Sequence, residues 1–306
     1  MNKKCLGCGI KLQDKEISSL GYTPKLENDY CMRCFKLKNY GKNINNNIPI
    51  DNEAILKRIN ETKYYTLFLT DFLHINNEVI DTYKKIKNNK CLVITKKDLF
   101  PNNVIIEKFL NNIRKVYDIN SNIYFISTHF NLDEFYKELI YRKRVLLTGY
   151  TSVGKSSLIN KLTNSHIVES KESTTTLDFI EIKNGDTILY DTPGFIYKNN
   201  LEDLNFNKRI RPNIKQLKSN EEIKINDYIL NSNIDNNFIF YIPNHFNIIK
   251  RKNTTKLNNR INIPVNSDLI IKGWGFINIK SSCIVSTNID LNLIEIRDSL
   301  IGAHHE

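Results

Sequence analysis

Two glycines, a lysine and a serine at fixed spacing are the residues of this chain best suited to chemistry. They fall in Gly149-Tyr150-Thr151-Ser152-Val153-Gly154-Lys155-Ser156, which fits G-x-x-x-x-G-K-[ST]. The glycines let the backbone close around anionic oxygens, and the amides that open a following helix point at them. Lys155 is placed to reach the β/γ-phosphates of a nucleotide and Ser156 to give a hydroxyl to Mg²⁺, with the contact expected to run from Tyr150 through Ser157. A chance Gly-rich turn ending in Gly-Lys-Ser is the alternative. Arg144–Thr148, which reads as a buried strand, and Lys155–Thr163, which reads as a helix, supply the strand–loop–helix context that this chemistry needs.

Further candidates lie on both sides of this loop. Asp191-Thr192-Pro193-Gly194 fits D-x-x-G, in which Asp191 holds Mg²⁺ through water and the Gly194 amide senses the γ-phosphate. Ser173-Thr174-Thr175-Thr176-Leu177-Asp178 lies where a first switch belongs, with Thr176, then Thr175, expected to close over Mg²⁺; a threonine-rich loop entering a strand is the plain alternative. Lys155, Thr176 and Gly194 are the expected catalytic participants. Thr95-Lys96-Lys97-Asp98 fits [NT]-K-x-D, where a carboxylate at Asp98 accepts from the guanine N1–H and exocyclic amine while the Lys96 stem packs on the ring. Ser127 and Thr128 follow at the end of the next strand, the expected place of a loop that backs the base. Phe195, not Gln, follows D-x-x-G, so nothing there orients an attacking water and hydrolysis is expected to be slow.

Positioning these groups requires strands alternating with helices. Strands are expected at Tyr65–Thr70, Cys91–Thr95, Asn122–Ser127, Arg144–Thr148 and Thr187–Tyr190, and helices at Asp51–Asn60, Asn77–Asn88, Asn103–Tyr117, Asn131–Arg142 and Lys155–Thr163. That alternation predicts an α/β fold with a doubly wound, mostly parallel sheet and ligands at the strand C-termini. The guanine elements precede the phosphate loop, the reverse of the ordinary order, so the fold is expected to be a circularly permuted P-loop domain. Residues after Leu201 alternate apolar and polar and predict a β-rich domain, with Trp274 anchoring a turn in its core.

At the start, Cys5-x-x-Cys8 and Cys31-x-x-Cys34 approach the spacing of a four-thiolate zinc site, and so short a segment would draw much of its folding energy from the metal; disulfides are the alternative. Cys91 and Cys283 are expected to be small buried hydrophobes. The expected division is a zinc module at 1–45, the GTPase domain at 46–202 and a β-rich RNA- or partner-binding domain at 203–306. A net charge of +11 favours a polyanionic partner, to which the runs Lys208-Arg209-Ile210-Arg211 and Lys250-Arg251-Lys252 would contribute. No apolar stretch marks a membrane span or secretory signal, and a cytoplasmic monomer is expected.

The reversed motif order together with the four cysteines resembles the YqeH-type circularly permuted GTPases, which assist assembly of the small ribosomal subunit. The runs Asp268–Ile277 and Ile294–Leu300 are similar to that family's tail. The resemblance implies GTP/GDP, Mg²⁺ and Zn²⁺ as ligands and the 30S subunit or its rRNA as partner. A nucleotide-gated RNA-binding module with incidental hydrolysis is the second reading. Three positions depart from the family pattern: Ser152 stands where an Asn helps bind an activating K⁺, which leaves K⁺ activation open; Ser173-Thr174 replaces Pro-Gly; and Thr95 stands where Asn is commoner.

Overall fold

Every residue of Tyr65–Asp71 after the first is buried, the pattern of a central strand covered on both faces. This strand, β1, belongs to a computed structural model that describes residues 3–5, 11–15, 21–32, 51–163, 170–171, 179–201 and 206–301. The expected Thr175, Thr176, Cys8 and Cys34 lie outside the described residues.

Before β1 comes α1 (Asn52–Glu61), capped by the Asp51 carboxylate, which accepts from the Glu53 amide at 2.9 Å. The chain continues through α2 (Asn77–Lys85), β2 (Lys90–Thr95), a 3₁₀ turn (Lys97–Leu99), α3 (Ile106–Tyr117), β3 (Ile123–Phe125), α4 (Asp133–Ile140), β4 (Arg144–Gly149) and α5 (Lys155–Thr163). Then follow β5 (Ser170–Lys171), β6 (Ile180–Asn184) and β7 (Thr187–Asp191). Helix α3 shows why these segments are helical: Phe109, Ile113 and Tyr117 recur every fourth residue and all three are buried.

These strands form one sheet in the order β3-β2-β1-β4-β7-β6-β5. β1 runs parallel to β4 (Tyr65 opposite Val145, Leu69 opposite Gly149), and β4 parallel to β7 (Leu147 opposite Asp191). The expected α/β sheet is therefore present and mostly parallel. Its far edge is antiparallel, because β6 folds back on β7 through a short turn at Gly185, φ +58°. Several elements are shorter than the periodicity predicts: the second helix stops at Lys85 instead of Asn88, and α4 spans Asp133–Ile140 instead of Asn131–Arg142.

Two antiparallel five-stranded sheets make up the β-rich part. One orders β12 (Ile248–Lys252), β9 (Glu221–Ile225), β10 (Tyr228–Ser232), β16 (Cys283–Thr287) and β13 (Asn259–Ile263). The other orders β17 (Ile294–Asp298), β14 (Ser267–Ile271), β15 (Gly275–Ile279), β11 (Asn236–Tyr241) and β8 (Asn213–Leu217). Alternate residues of both sheets, among them Leu230, Phe238, Leu269, Ile277 and Val285, enter one core, as a sandwich requires. Trp274 lies in that core against Phe246 and Tyr228, the turn anchor its flanking glycines predict, and Cys91 and Cys283 are both buried. By contact density the chain divides into two compact units, 1–69 with 84–93 and 128–196, and 70–83 with 94–127 and 197–306. Among the described residues no helix is long and apolar enough to cross a membrane.

A buried ion pair holds the tail of the second unit. Arg297 Nε donates to Asp268 Oδ2 at 3.1 Å, the Leu300 amide donates to the same oxygen at 3.0 Å, and Asn278 donates to Oδ1 at 2.9 Å. Removing one partner leaves an uncompensated buried charge, which costs about 3–5 kcal/mol. Asp268→Ala is thus expected to lose that amount in chemical denaturation of the full chain; an unchanged unfolding midpoint would show that the pair contributes nothing.

Candidate guanine-nucleotide site

The phosphate-loop residues and D-x-x-G lie in the first unit and are laced together by backbone. The Phe195 amide donates to Gly149 O at 3.0 Å, the Thr151 amide to Phe195 O at 3.0 Å, and the Thr192 amide to Leu147 O at 3.1 Å. Thr192 Oγ1 donates to Thr148 Oγ1 at 2.9 Å. Two glycines permit this. A Cβ on Gly149, φ +151°, would lie 2.2 Å from Leu69 O, and one on Gly194 would lie 3.1 Å from Thr151 Cγ2 and 3.2 Å from Lys155 Nζ. Ser152 and Gly154 take positive φ values of 63° and 96°, the turns that bend the loop back toward α5.

Within the loop, Tyr150 and Val153 are buried, Thr151, Ser152 and Ser157 are exposed, and Lys155 and Ser156 open α5 half-exposed. Asp191 is buried at the end of β7. Ser156 and Asp191 supply oxygen donors only, the chemistry that suits Mg²⁺. Phe195 is fully buried, its ring 5.6 Å from Tyr150 and 6.3 Å from Phe68. The position where Ras-like enzymes orient water therefore serves here as core and as backbone brace. Beyond it the Asn52 side chain grips the next residue from both sides, donating to Ile196 O at 2.7 Å and accepting from Ile196 N at 2.9 Å.

The guanine-type residues lie in the second unit, except for Thr128, which is half-exposed and belongs to the first. Asp98 sits in the 3₁₀ turn after β2, and Ser127 Oγ donates to its Oδ1 at 2.5 Å. Order and position alone suggested Ser127; the hydrogen bond gives it a physical connection to Asp98. Thr95 is buried, and its hydroxyl donates to Thr70 O at 3.3 Å. Lys96 is left-handed at φ 62°, which turns its side chain back toward β1, where Nζ lies 3.0 Å from Asp71 Oδ2 and 4.2 Å from the Phe206 ring centroid.

Asp71 was not singled out by its sequence context, although a carboxylate closing a buried apolar strand is a signal of a polar network. His74 Nδ1 lies 2.8 Å from its Oδ1, and His74 Nε2 faces Gly273 O at 3.4 Å. Burial acts to raise the Asp71 carboxyl, but the charges and hydrogen bonds of His74 and Lys96 outweigh it and hold it well below the usual carboxylate range. Burial acts to lower the His74 imidazole, and Asp71 outweighs it, so the group is raised. The depressed Asp71 contributes stability above about pH 4 that is lost on acidification; the raised His74 contributes below about pH 6.5 and is lost as pH climbs through its folded value.

The first basic run, Lys208-Arg209-Ile210-Arg211, also supports the turn that carries Asp98. Arg209 Nε donates to Asp98 O at 3.1 Å and its guanidinium also reaches Asn102, while the buried Ile210 donates its amide to Leu99 O at 2.9 Å. In the second basic run, Arg251 pairs with the buried Glu222 carboxylate at 2.7 Å and Lys250 with Glu221 at 3.2 Å. Arg209, Lys250 and Arg251 thus each hold a partner within the fold while remaining exposed, which a linear reading of charge does not reveal. Near the start of the chain, Cys5 and Cys31 are both buried, and the Cys31 amide donates to Cys5 Sγ at 3.1 Å. Among the described residues no group of three or more His, Cys, Asp or Glu could hold a metal.

The sequence model of the "RsgA GTPase" family matches residues 49–199, and that of the "50S ribosome-binding GTPase" family matches residues 144–264. The "Uncharacterized protein YqeH" of Bacillus subtilis (strain 168) is 30% identical over 287 residues, covering 81% of this chain and 77% of that protein. "GTPase Der" of Karelsulcia muelleri (strain GWSS) is 34% identical over 166 residues, 49% of this chain and 38% of that one. Among solved structures, YjeQ from Thermotoga maritima matches with TM-score 0.36 at 22% identity, covering 44% of this chain and 49% of that one. GNP-bound YlqF from T. maritima matches with TM-score 0.34 at 18% identity, covering 49% and 60%. The chain thus spans about half to three-fifths of these two structures.

Because Gly194 lies against Thr151 and Lys155, Gly194→Ala is expected to push on the phosphate loop and lower GTP turnover about tenfold or more while leaving the fold intact; equal turnover in a single-turnover assay would show that the contact does not matter. The guanine elements on β2 and β3 precede the phosphate loop on β4, and a relative with 30% identity covers most of both chains. On that evidence the chain is a GTP hydrolase and belongs to the YqeH-type circularly permuted GTPases.

Proposed function

We propose that this GTPase is a slow switch in assembly of the small (30S) ribosomal subunit, acting through ribosomal RNA. The observation that carries the switch reading is the grip of Arg209 and Ile210 on the Asp98 turn. It ties the guanine-type loop to the segment that enters the β-rich part, so occupancy at Asp98 can be read there. In this reading Tyr150 through Ser157 hold the phosphates, Thr95, Lys96, Asp98, Ser127 and Thr128 hold the base, and Ser156, Thr176 and Asp191 hold Mg²⁺. Lys155, Thr176 and Gly194 act on the γ-phosphate. The division at 1–45, 46–202 and 203–306, a monomeric state and a cytoplasmic setting belong to the same proposal.

The slow rate follows from Phe195, which is buried and carries no group that could order water. Unassisted turnover is expected at or below about 4 × 10⁻⁴ s⁻¹, the intrinsic rate of a Ras-like enzyme without its activating partner. Full-length protein with a non-hydrolysable GTP analogue should co-sediment with 30S precursor particles and should leave them with GDP. Binding to 50S particles instead, in keeping with the name of the family matched at residues 144–264, or turnover of about 1 s⁻¹ in the absence of ribosomal particles, would overturn this reading.

Zinc is the second part of the proposal. Cys5 and Cys31 are buried side by side, and an amide donating to a cysteine sulfur suits a thiolate ligand. With Cys8 and Cys34 they form the donor set of a structural tetrahedral site. Elemental analysis of protein purified without chelator is expected to find about one zinc per chain; none would remove the metal.

A further inference from the structure

Arg209, Lys250 and Arg251, named from the sequence, are exposed but each already has a partner in the fold, which raises the question of where the chain exposes positive charge without an ion-pair partner beside a surface that a polyanion could grip. One such place lies in the first unit, at the N-terminal ends of β1 and β4. A cleft of about 520 Å³ is lined there by Lys63, Tyr64, Tyr141, Arg142, Lys143 and Arg144, with Tyr65 and Asn89. That volume lies in the usual range of ligand pockets, about 300–1,000 Å³. Arg142 pairs with Glu138 at 3.2 Å, whereas among the described residues Lys63, Lys143 and Arg144 make no ion pair.

The aromatic part is as specific as the charge. Tyr141, just past the end of α4, is 89% exposed, leaving its ring open. Tyr64 is stacked on Tyr190 with ring centroids 4.6 Å apart, and the Arg144 guanidinium lies 5.4 Å from the Tyr64 ring. The Arg142 guanidinium lies 4.0 Å from the Tyr65 ring. Stacked rings and planar guanidiniums beside an open tyrosine make a base-stacking platform, and the unpaired cations supply phosphate contacts. Duplex RNA keeps its bases stacked inside, so an open ring of this kind can be used only by an unpaired nucleotide. An acidic peptide would use the cations but gain nothing particular from the ring.

We infer that this cleft binds single-stranded RNA, with a base on Tyr141 and flanking phosphates on Lys63, Lys143 and Arg144. The inference rests on the RNA-directed reading above and assigns it a surface. The phosphate loop stands at the other end of β4, roughly 17 Å away for five residues of strand, so RNA here leaves the GTP-binding loop uncovered.

The test is fluorescence anisotropy of the full chain with a labelled 12-nucleotide single-stranded RNA at several salt concentrations, with sedimentation on 30S precursor particles and GTP turnover measured alongside. Tyr141→Ala is expected to weaken oligonucleotide binding about tenfold and Tyr141→Phe to leave it unchanged, as loss and retention of one base stack require. Lys143→Glu/Arg144→Glu is expected to weaken binding further and to reduce the slope of log affinity against log salt by about 1.4, two phosphate contacts at about 0.7 each, with GTP turnover unchanged. Should the charge reversal also unfold the protein, the two Tyr141 variants still decide. Variants that bind RNA as tightly as the parent chain, or polyglutamate of equal charge competing as well as RNA, would overturn the cleft while leaving the ribosomal reading in place. Loss of both oligonucleotide and particle binding in the parent chain would overturn both.

Discussion

Backbone approaching backbone where no side chain fits is the constraint on which the phosphate end of this protein depends. Gly149 lets β4 end against Leu69 of β1, and Gly194 lets the D-x-x-G turn close on Thr151 and Lys155. Once those two positions lack a Cβ, the Phe195 amide and carbonyl can bond to Gly149 and Thr151, and the Phe195 ring is drawn into the core beside Phe68 and Tyr150. The same packing that secures the loop therefore occupies the position from which other GTPases present a water-orienting side chain. Tight bracing and the lack of a polar side chain at this position share one cause.

A different constraint governs the guanine turn. Lys96 adopts a left-handed conformation that its side chain must be held in, and the buried Asp71 carboxylate holds it. Asp71 in turn is kept ionised by Lys96 and His74, and His74 faces Gly273 at the turn between β14 and β15. From the other side, Arg209 and Ile210 bond to the backbone of Asp98 and Leu99. The turn thus has a charged anchor on β1 and a backbone anchor on the segment preceding β8.

How far this was legible in the sequence depends on how local each cause is. The phosphate loop and D-x-x-G were legible because their chemistry needs particular residues at fixed spacing on consecutive positions. The strands and helices were legible as periodicity, but their ends were not: α2 stops at Lys85 because an apolar pattern does not say where the chain must turn. The Asp71–His74–Lys96 network was illegible because Lys96 joins the local Asp71–His74 pair only through the pairing of β1 and β2. Arg209 shows a different limit: composition marks an exposed cation but not the bond it makes to the Asp98 backbone, nor the burial of Ile210 beside it. Tyr141-Arg142-Lys143-Arg144 was read as the end of a helix and the start of a strand; the helix in fact stops at Ile140, so Tyr141, Arg142 and Lys143 form a connection whose surface that reading hid.

The permutation makes the segment after D-x-x-G the exit from the nucleotide-type motifs. With D-x-x-G last among the nucleotide motifs, the chain leaves it through Ile196, gripped by Asn52, and is bound again almost at once: the Lys198 amide donates to Glu78 Oε1 at 2.9 Å and the Leu201 amide to Lys272 O at 3.0 Å. Gly273 leaves no room to spare, since a Cβ there would lie 2.5 Å from Leu201 O. The stretch from Ile196 to Leu201 is thus held by hydrogen bonds at both of its ends. The residues that follow D-x-x-G are therefore fixed by bonds to Asn52, Glu78 and Lys272, partners far off in the sequence that the stretch from Phe195 to Leu201 does not announce.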